Sequence, residues 1–198
     1  MKRIRLLSVS LIGGVVSALI CVRAVPAIAQ GNETQSRVQQ GLDIAPVPLD
    51  LQGKNGALVG LGSYLANALG GCNDCHTCPT YAPGVEHNPF LGGDGQLNAD
   101  AHMAGGVPFG PIVSANLTPD AEGNPAGLTR EEFLEEIRTG HDVDTGAILQ
   151  VMPWPLLRNA TDYDLQAMYE YLRAIPARET PAPGRCSAPG EATFPPAP

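Results

Sequence analysis

Five consecutive residues, Cys72-Asn73-Asp74-Cys75-His76, place two thiols and an imidazole within little more than one helical turn. Their spacing, C-x-x-C-H, is that of c-type haem attachment. On a helix, positions i and i+3 share a face. Cys72 and Cys75 can therefore reach the two vinyl groups along one side of a porphyrin and form thioethers. His76 can then set its imidazole under the iron as the proximal ligand. One such motif implies one covalent haem c per chain.

Other chemistries use similar cysteines. Cys72, Cys75 and Cys78, followed by Pro79, also look like the start of an iron–sulfur run, C-x2-C-x2-C-x3-C-P. The fourth cysteine of that run would stand at position 82, where the sequence has Ala82, and Pro79 follows the third cysteine instead. Zinc requires a second, separate C-x-x-C or H-x-H pair, and the sequence has none apart from the overlapping Cys72, Cys75 and Cys78. A thioredoxin-like dithiol requires a βαβ setting, for which there is no pattern here.

The motif needs a helix to deliver it. Residues 55–70 predict one, with Leu58, Leu61, Leu65 and Leu69 on a single stripe and Gly70-Gly71 as the stop. Thr129-Arg130-Glu131-Glu132 is a capping box that opens a second helix. Phe133, Leu134 and Ile137 form its apolar face and Gly140 closes it. A third helix starts near Thr161 or Asp162, carries Leu165, Met168, Tyr169 and Leu172 on one face, and stops at Pro176. Between these elements, residues 79–128 and 141–151 are loop, rich in Pro, Gly, Asn and Asp. The Gly92-Gly93-Asp94-Gly95 run reads as a turn. Asp142-Val143-Asp144-Thr145-Gly146 only echoes a calcium loop, because the distal glutamate is missing.

Residues 1–29 predict a secretory signal. Lys2, Arg3 and Arg5 precede a largely apolar run, and Ala27-Ile28-Ala29 supplies a small-x-small cleavage pattern. The alternative is a retained membrane anchor. Without a twin arginine, export would be of the unfolded chain to the periplasm. The full chain has a net charge of −8; removing residues 1–29 takes away four of its 12 basic residues and none of its 20 acidic ones, which leaves −12. Such acidity excludes a nucleic-acid footprint and suits steering toward a basic protein patch, or solubility alone. Residues 30–54 are expected to be a linker or loosely held arm, 55–176 the folded domain, and 177–198 a proline-rich tail. With 19 prolines and 23 glycines, the 198-residue chain suits short helices and long loops around a rigid cofactor better than a bundle of long helices.

A sixth iron ligand must come from well after His76. His87, His102, His141, Met103, Met152 and Met168 are the candidates. Met168 lies on the apolar stripe of the last helix, where core packing explains it. Met103 lies in a glycine-rich loop with nothing obvious to hold it. Met152 stands before Pro153-Trp154-Pro155, a stiff segment that can present a thioether. Packing of Met152 beside Trp154 is the plainer alternative.

In order, these features resemble the class I cytochrome c family over about residues 55–176. The resemblance implies an all-α cytochrome c fold of three or so short helices, the last crossing the first, with long loops around one covalently bound haem. It also favours a ligand methionine between the second and third helices, the position of Met152. The stretches Pro108-Phe109-Gly110 and Asn116-Leu117-Thr118-Pro119-Asp120, with Met152-Pro153-Trp154 and Tyr171-Leu172-Arg173, are similar to the cytochrome subunits of bacterial dehydrogenases. That likeness implies that Asn116 and Thr118 lie near the haem propionates; loop structure alone would explain them equally well.

Two cysteines remain, Cys78 and Cys186, in a compartment that oxidises thiols. They are expected to form a disulfide between the tail and the haem-binding segment, the alternative being two free thiols. Together these expectations describe a periplasmic one-electron carrier that is not an enzyme. It would exchange electrons with redox proteins: a dehydrogenase, an oxidase or another cytochrome. Membrane contact would come only through those partners or an uncleaved signal. The alternatives are a peroxidase-like haem enzyme or a gas sensor with an open sixth site.

Overall fold

The computed structural model describes residues 27–186. Most of the signal segment and the end of the tail lie outside the described residues. Within them the chain is helix-rich. Helices α1 (Ala27–Asp43), α2 (Gly56–Tyr64), α3 (Cys72–His76), α4 (Arg130–Thr139), α5 (Trp154–Leu157) and α6 (Asp162–Ala174) are joined by long loops. The only sheet among the described residues pairs two-residue strands, β1 (Pro108–Phe109) and β2 (Ile112–Val113), antiparallel with Phe109 opposite Ile112.

The three expected helices form for the expected reasons. Asn55 caps α2, accepting from the backbone N–H of Ala57 at 3.0 Å. Reciprocal capping boxes open α4 at Thr129 and Glu132, and α6 at Thr161 and Asp164. Gly140, with φ +71°, ends α4 in the left-handed conformation that glycine adopts without strain.

Helix α2 packs across α6, and the crossing is close because Gly62 stands at it. A Cβ there would collide with the Ala167 carbonyl and the Tyr171 side chain. Val59 and Ala66 join Phe133, Ile137, Leu165, Met168, Tyr169, Tyr171 and Leu172 in the central core. The predicted leucine stripe holds for Leu58, Leu61 and Leu65 but not for Leu69, which is 65% exposed. The cause is a change of helical pitch. Residues Leu65–Leu69 form a wider π-turn, closed by the Gly70 N–H on the Leu65 carbonyl at 2.7 Å, and the turn rotates Leu69 off the stripe.

The expectation of a loose arm at 30–54 needs correcting over its first half. Residues up to Asp43 are helical, and α1 packs on α2. Val38 and Leu42 meet Leu58 and Leu61, while Gly41 and Gly60 let the two backbones touch. The Ser63 hydroxyl donates to the Gly41 carbonyl at 2.6 Å and locks the contact. The apolar stripe of α1 is thin, and a glycine interrupts it, so its periodicity is faint in the sequence.

Candidate functional site

The C-x-x-C-H residues occupy their own short helix. Gly70 and Gly71 turn the chain out of the π-turn, and Gly71 adopts φ +59°. The Asp74 and Thr77 N–H groups then close α3 on the carbonyls of Gly71 and Asn73. This turn places Cys72 and Cys75 one helical turn apart, both as free thiols. Cys72 borders the central core, with Leu65, Leu117, Leu128, Leu134 and Met152 also packed around that core.

Electrostatics separate the competing chemistries. Burial pushes the Cys72 thiol up to about 11, with the neighbouring Cys75 adding to the effect. Burial also raises Cys75, followed by the charge of Asp74. A thiol poised for disulfide exchange has a depressed pKa, so these two do not have the character of a redox dithiol. Cys78, the third cysteine of the iron–sulfur alternative, is paired with Cys186, their Cα atoms 5.7 Å apart.

His76 is oriented by the main chain. Its Nδ1 lies 2.8 Å from the Ala115 carbonyl, an acceptor only, so Nδ1 carries the proton and Nε2 keeps its lone pair. Burial lowers the His76 pKa and the Ala115 carbonyl partly offsets this. A neutral imidazole with a free Nε2 is the form that ligates a metal. Two thiols and this imidazole on one turn fit a covalently bound haem.

The other candidate ligands sort by surroundings. His87 faces Asp94 at 3.0 Å in a surface loop, and His141 is exposed. His102 is buried with its Nε2 on the Tyr171 hydroxyl at 2.8 Å. Met168 packs in the core face of α6. Met103, expected to be unsupported, is fully buried and held from both sides. Its N–H donates to Thr77 Oγ1 at 3.0 Å and its carbonyl accepts from Leu117 at 2.8 Å. Met152 is half-buried at the edge of the core that Cys72 also borders. Its segment is anchored by Trp154. The Trp154 ring lies flat against Gly140, and its Nε1–H donates to the Leu149 carbonyl at 3.2 Å.

Asn116 and Thr118 are engaged with protein. Asn116 Nδ2 donates to the Arg178 carbonyl at 2.8 Å, and the Arg178 N–H donates to Thr118 Oγ1 at 3.1 Å. These bonds give both side chains a part in the loop structure. The calcium-like loop is likewise self-closed, Asp142 accepting from the Thr145 N–H and hydroxyl, each at 2.7 Å. Sequence reasoning missed Asn73 and Ala115. Asn73, inside the motif, donates to Asn67 at 2.8 Å and accepts from Thr77 at 3.3 Å, tying α3 to the π-turn that follows α2. Its position is variable in C-x-x-C-H, and Ala115 acts through its carbonyl, so neither carries a signal of residue type.

Among the described residues, no helix is long and apolar enough to cross a membrane. No family model and no solved structure matches the chain. Relatives do. The chain is 32% identical over 115 residues to the cytochrome c subunit of the quinone alcohol dehydrogenase of Gluconobacter oxydans. It is 34% identical over 118 residues to the corresponding cytochrome c subunit of Komagataeibacter europaeus. It is 31% identical over 117 residues to the cytochrome c subunit of gluconate 2-dehydrogenase of Pantoea cypripedii. These matches take in 58%, 58% and 59% of the chain but only 21%, 21% and 23% of the respective relatives, so the chain spans a small part of each. The similarity supports a cytochrome c-like domain and is consistent with electron transfer.

Proposed function

We propose that the chain is a periplasmic one-electron carrier of the class I cytochrome c type, with one covalent haem c ligated by His76 and Met152. When bound, the haem iron supplies the one-electron couple, ferric to ferrous. The observation that carries the reading is the geometry of α3. Two free thiols stand one turn apart, beside an imidazole whose Nδ1–H is held by a carbonyl and whose Nε2 is free.

Each residue then has a distinct task. Cys72 and Cys75 would hold the haem through thioethers, each adding its S–H across one vinyl group. His76 would ligate through Nε2, its tautomer and ring angle set by the Ala115 carbonyl. Met152 offers its thioether from a segment braced by Trp154 on Gly140. The apolar side chains of the central core pack against Met152 and Cys72. The Cys78–Cys186 bridge ties the tail to the segment just after His76. Names of the relatives point to a dehydrogenase as the electron donor.

The test is to express the chain with a c-type maturation system in an exporting host. One haem per chain, retained through acid-acetone, with an alkaline pyridine spectrum lacking free vinyls, is expected. A long-wavelength methionine–iron charge-transfer band should appear in the ferric protein. Haem lost to acid-acetone would overturn covalent attachment. Absence of the band would replace Met152 by a histidine or an open site.

A further inference from the structure

His76 depends on a carbonyl 39 residues away, and the structure shows what holds that carbonyl in place. On its inner side, Ala115 is laced into a loop. Gly105 donates to the His76 carbonyl at 2.8 Å, Gly106 to Ser114 at 3.0 Å, Ser114 to Val107 at 2.9 Å and Leu117 to Met103 at 2.8 Å. The Gly105 backbone, at φ +71°, lies flat against Ala115, and a Cβ on Gly105 would stand 2.5 Å from the Ala115 oxygen.

On its outer side, the loop is clamped to the C-terminal segment. Asn116 Nδ2 reaches the Arg178 carbonyl at 2.8 Å, and Thr118 Oγ1 accepts from the Arg178 N–H at 3.1 Å. The single Thr118 hydroxyl proton goes to Asn116 Oδ1 at 2.7 Å, a closer acceptor than the Arg178 carbonyl at 3.2 Å. Asn116 Oδ1 also takes the Thr118 N–H at 2.9 Å. The segment then runs over Gly106, where Thr180 and Pro181 pack, and returns through Cys186 to Cys78, two residues beyond His76. The post-α6 segment is thus a strap, fixed at one end by a backbone clamp and at the other by a covalent bridge. Both ends meet the segments that orient His76.

We infer that this strap sets the reduction potential: Asn116 and Thr118, gripping Arg178, together with the Cys78–Cys186 bridge, hold the Ala115 carbonyl on His76 Nδ1. The inference rests on the haem reading above. An acceptor pressed against Nδ1–H gives the imidazole more anionic character, which favours ferric iron. A slack strap lets the carbonyl drift and moves the potential upward. Asn116 and Thr118 are positioning residues, acting through Ala115.

Thr118→Val keeps the shape and removes the hydroxyl that receives the Arg178 N–H, while Thr118→Ser keeps the hydroxyl. Spectroelectrochemical titration of the purified holoproteins should show a more positive potential in Thr118→Val and near wild-type behaviour in Thr118→Ser. The Cys78→Ser/Cys186→Ser pair should shift in the same direction. Exchange of the His76 Nδ1 proton, followed by NMR, should quicken in Thr118→Val and in the serine pair. A merely structural role would lower thermal stability and leave both readouts unchanged; an unchanged potential in either variant overturns the inference. If Thr118→Val does not accumulate, the serine pair decides alone. A wild-type chain that takes up no haem would instead remove the underlying function, and the first spectrum tells that outcome apart.

Discussion

The Nε2 atom of His102 lies 2.8 Å from the hydroxyl oxygen of Tyr171, with both side chains fully buried and 69 residues apart in the chain. The network around them orients the Asn67 amide. Asn67 Oδ1 accepts from Asn73 at 2.8 Å, so its amide nitrogen faces Tyr171 at 3.0 Å and Ser63 at 3.1 Å. His102 Nδ1 is a buried atom without a hydrogen-bond partner among the described residues. This chain of bonds joins α2, α3, α6 and the loop before Met103 without entering the ligand set.

That burial makes stability depend on pH. Desolvation lowers the His102 pKa from 6.5 to about 4, with the charge of Arg178 adding to it. The unfolded chain takes up this proton near pH 6.5 and the folded chain resists until about pH 4. Stability should therefore be level above pH 6.5 and fall by about 3 kcal/mol between there and pH 4. Urea unfolding across that window, with His102→Gln as the comparison, checks it; an equal slope in the variant would remove His102 as the cause.

Tyr171→Phe removes the hydroxyl that His102 and Asn67 share. The buried His102 Nε2 is then left without that partner, at a cost of about 1–3 kcal/mol, while the half-buried Asn67 keeps its bond to Ser63. Tyr163→Phe, on the exposed side of α6, should change stability little. Denaturant midpoints of the two variants should separate clearly.

Gly62→Val tests the helix crossing. Its side chain would enter the space of the Ala167 carbonyl and Tyr171, and backbone gives way less readily than side chain. We expect a loss at or above the upper end of the usual overpacking range, about 1–3 kcal/mol. Gly56→Ala, in open space at the start of α2, should be neutral or stabilising by comparison.

Cys72→Ser or Cys75→Ser should leave at most one thioether, and the double variant none. Haem staining of denatured chains reports this directly. Stable accumulation of a folded, haem-free double variant would show that the apolar core of this chain suffices without its cofactor.

Met152→Ala should leave the haem attached, abolish the long-wavelength charge-transfer band and lower the reduction potential. Full retention of the band would move the ligand role to Met103 or Met168. Met103 is tightly packed and its backbone is fixed by Thr77 and Leu117, so such a move would require the loop to rearrange.

Much of this molecule was legible in one dimension because its signals are local. Caps at Asn55, Thr129 and Thr161 lie within three residues of the groups they satisfy. The C-x-x-C-H spacing lies within a single turn, and the apolar faces of α4 and α6 repeat at helical period. Helix α1 escaped because few apolar residues, Val38 and Leu42, join two glycines in its contact with α2; close approach of backbones leaves only a faint apolar pattern to read. Leu69 left its stripe because a single π-turn breaks the period that predicted it. Tertiary structure alone decided which carbonyl holds His76, that Asn116 and Thr118 grip Arg178, and that His102 is sealed against Tyr171. The physical reason is distance along the chain. These bonds span 39 to 69 residues, and those to Ala115 and Arg178 use backbone groups that nearly every residue type supplies equally.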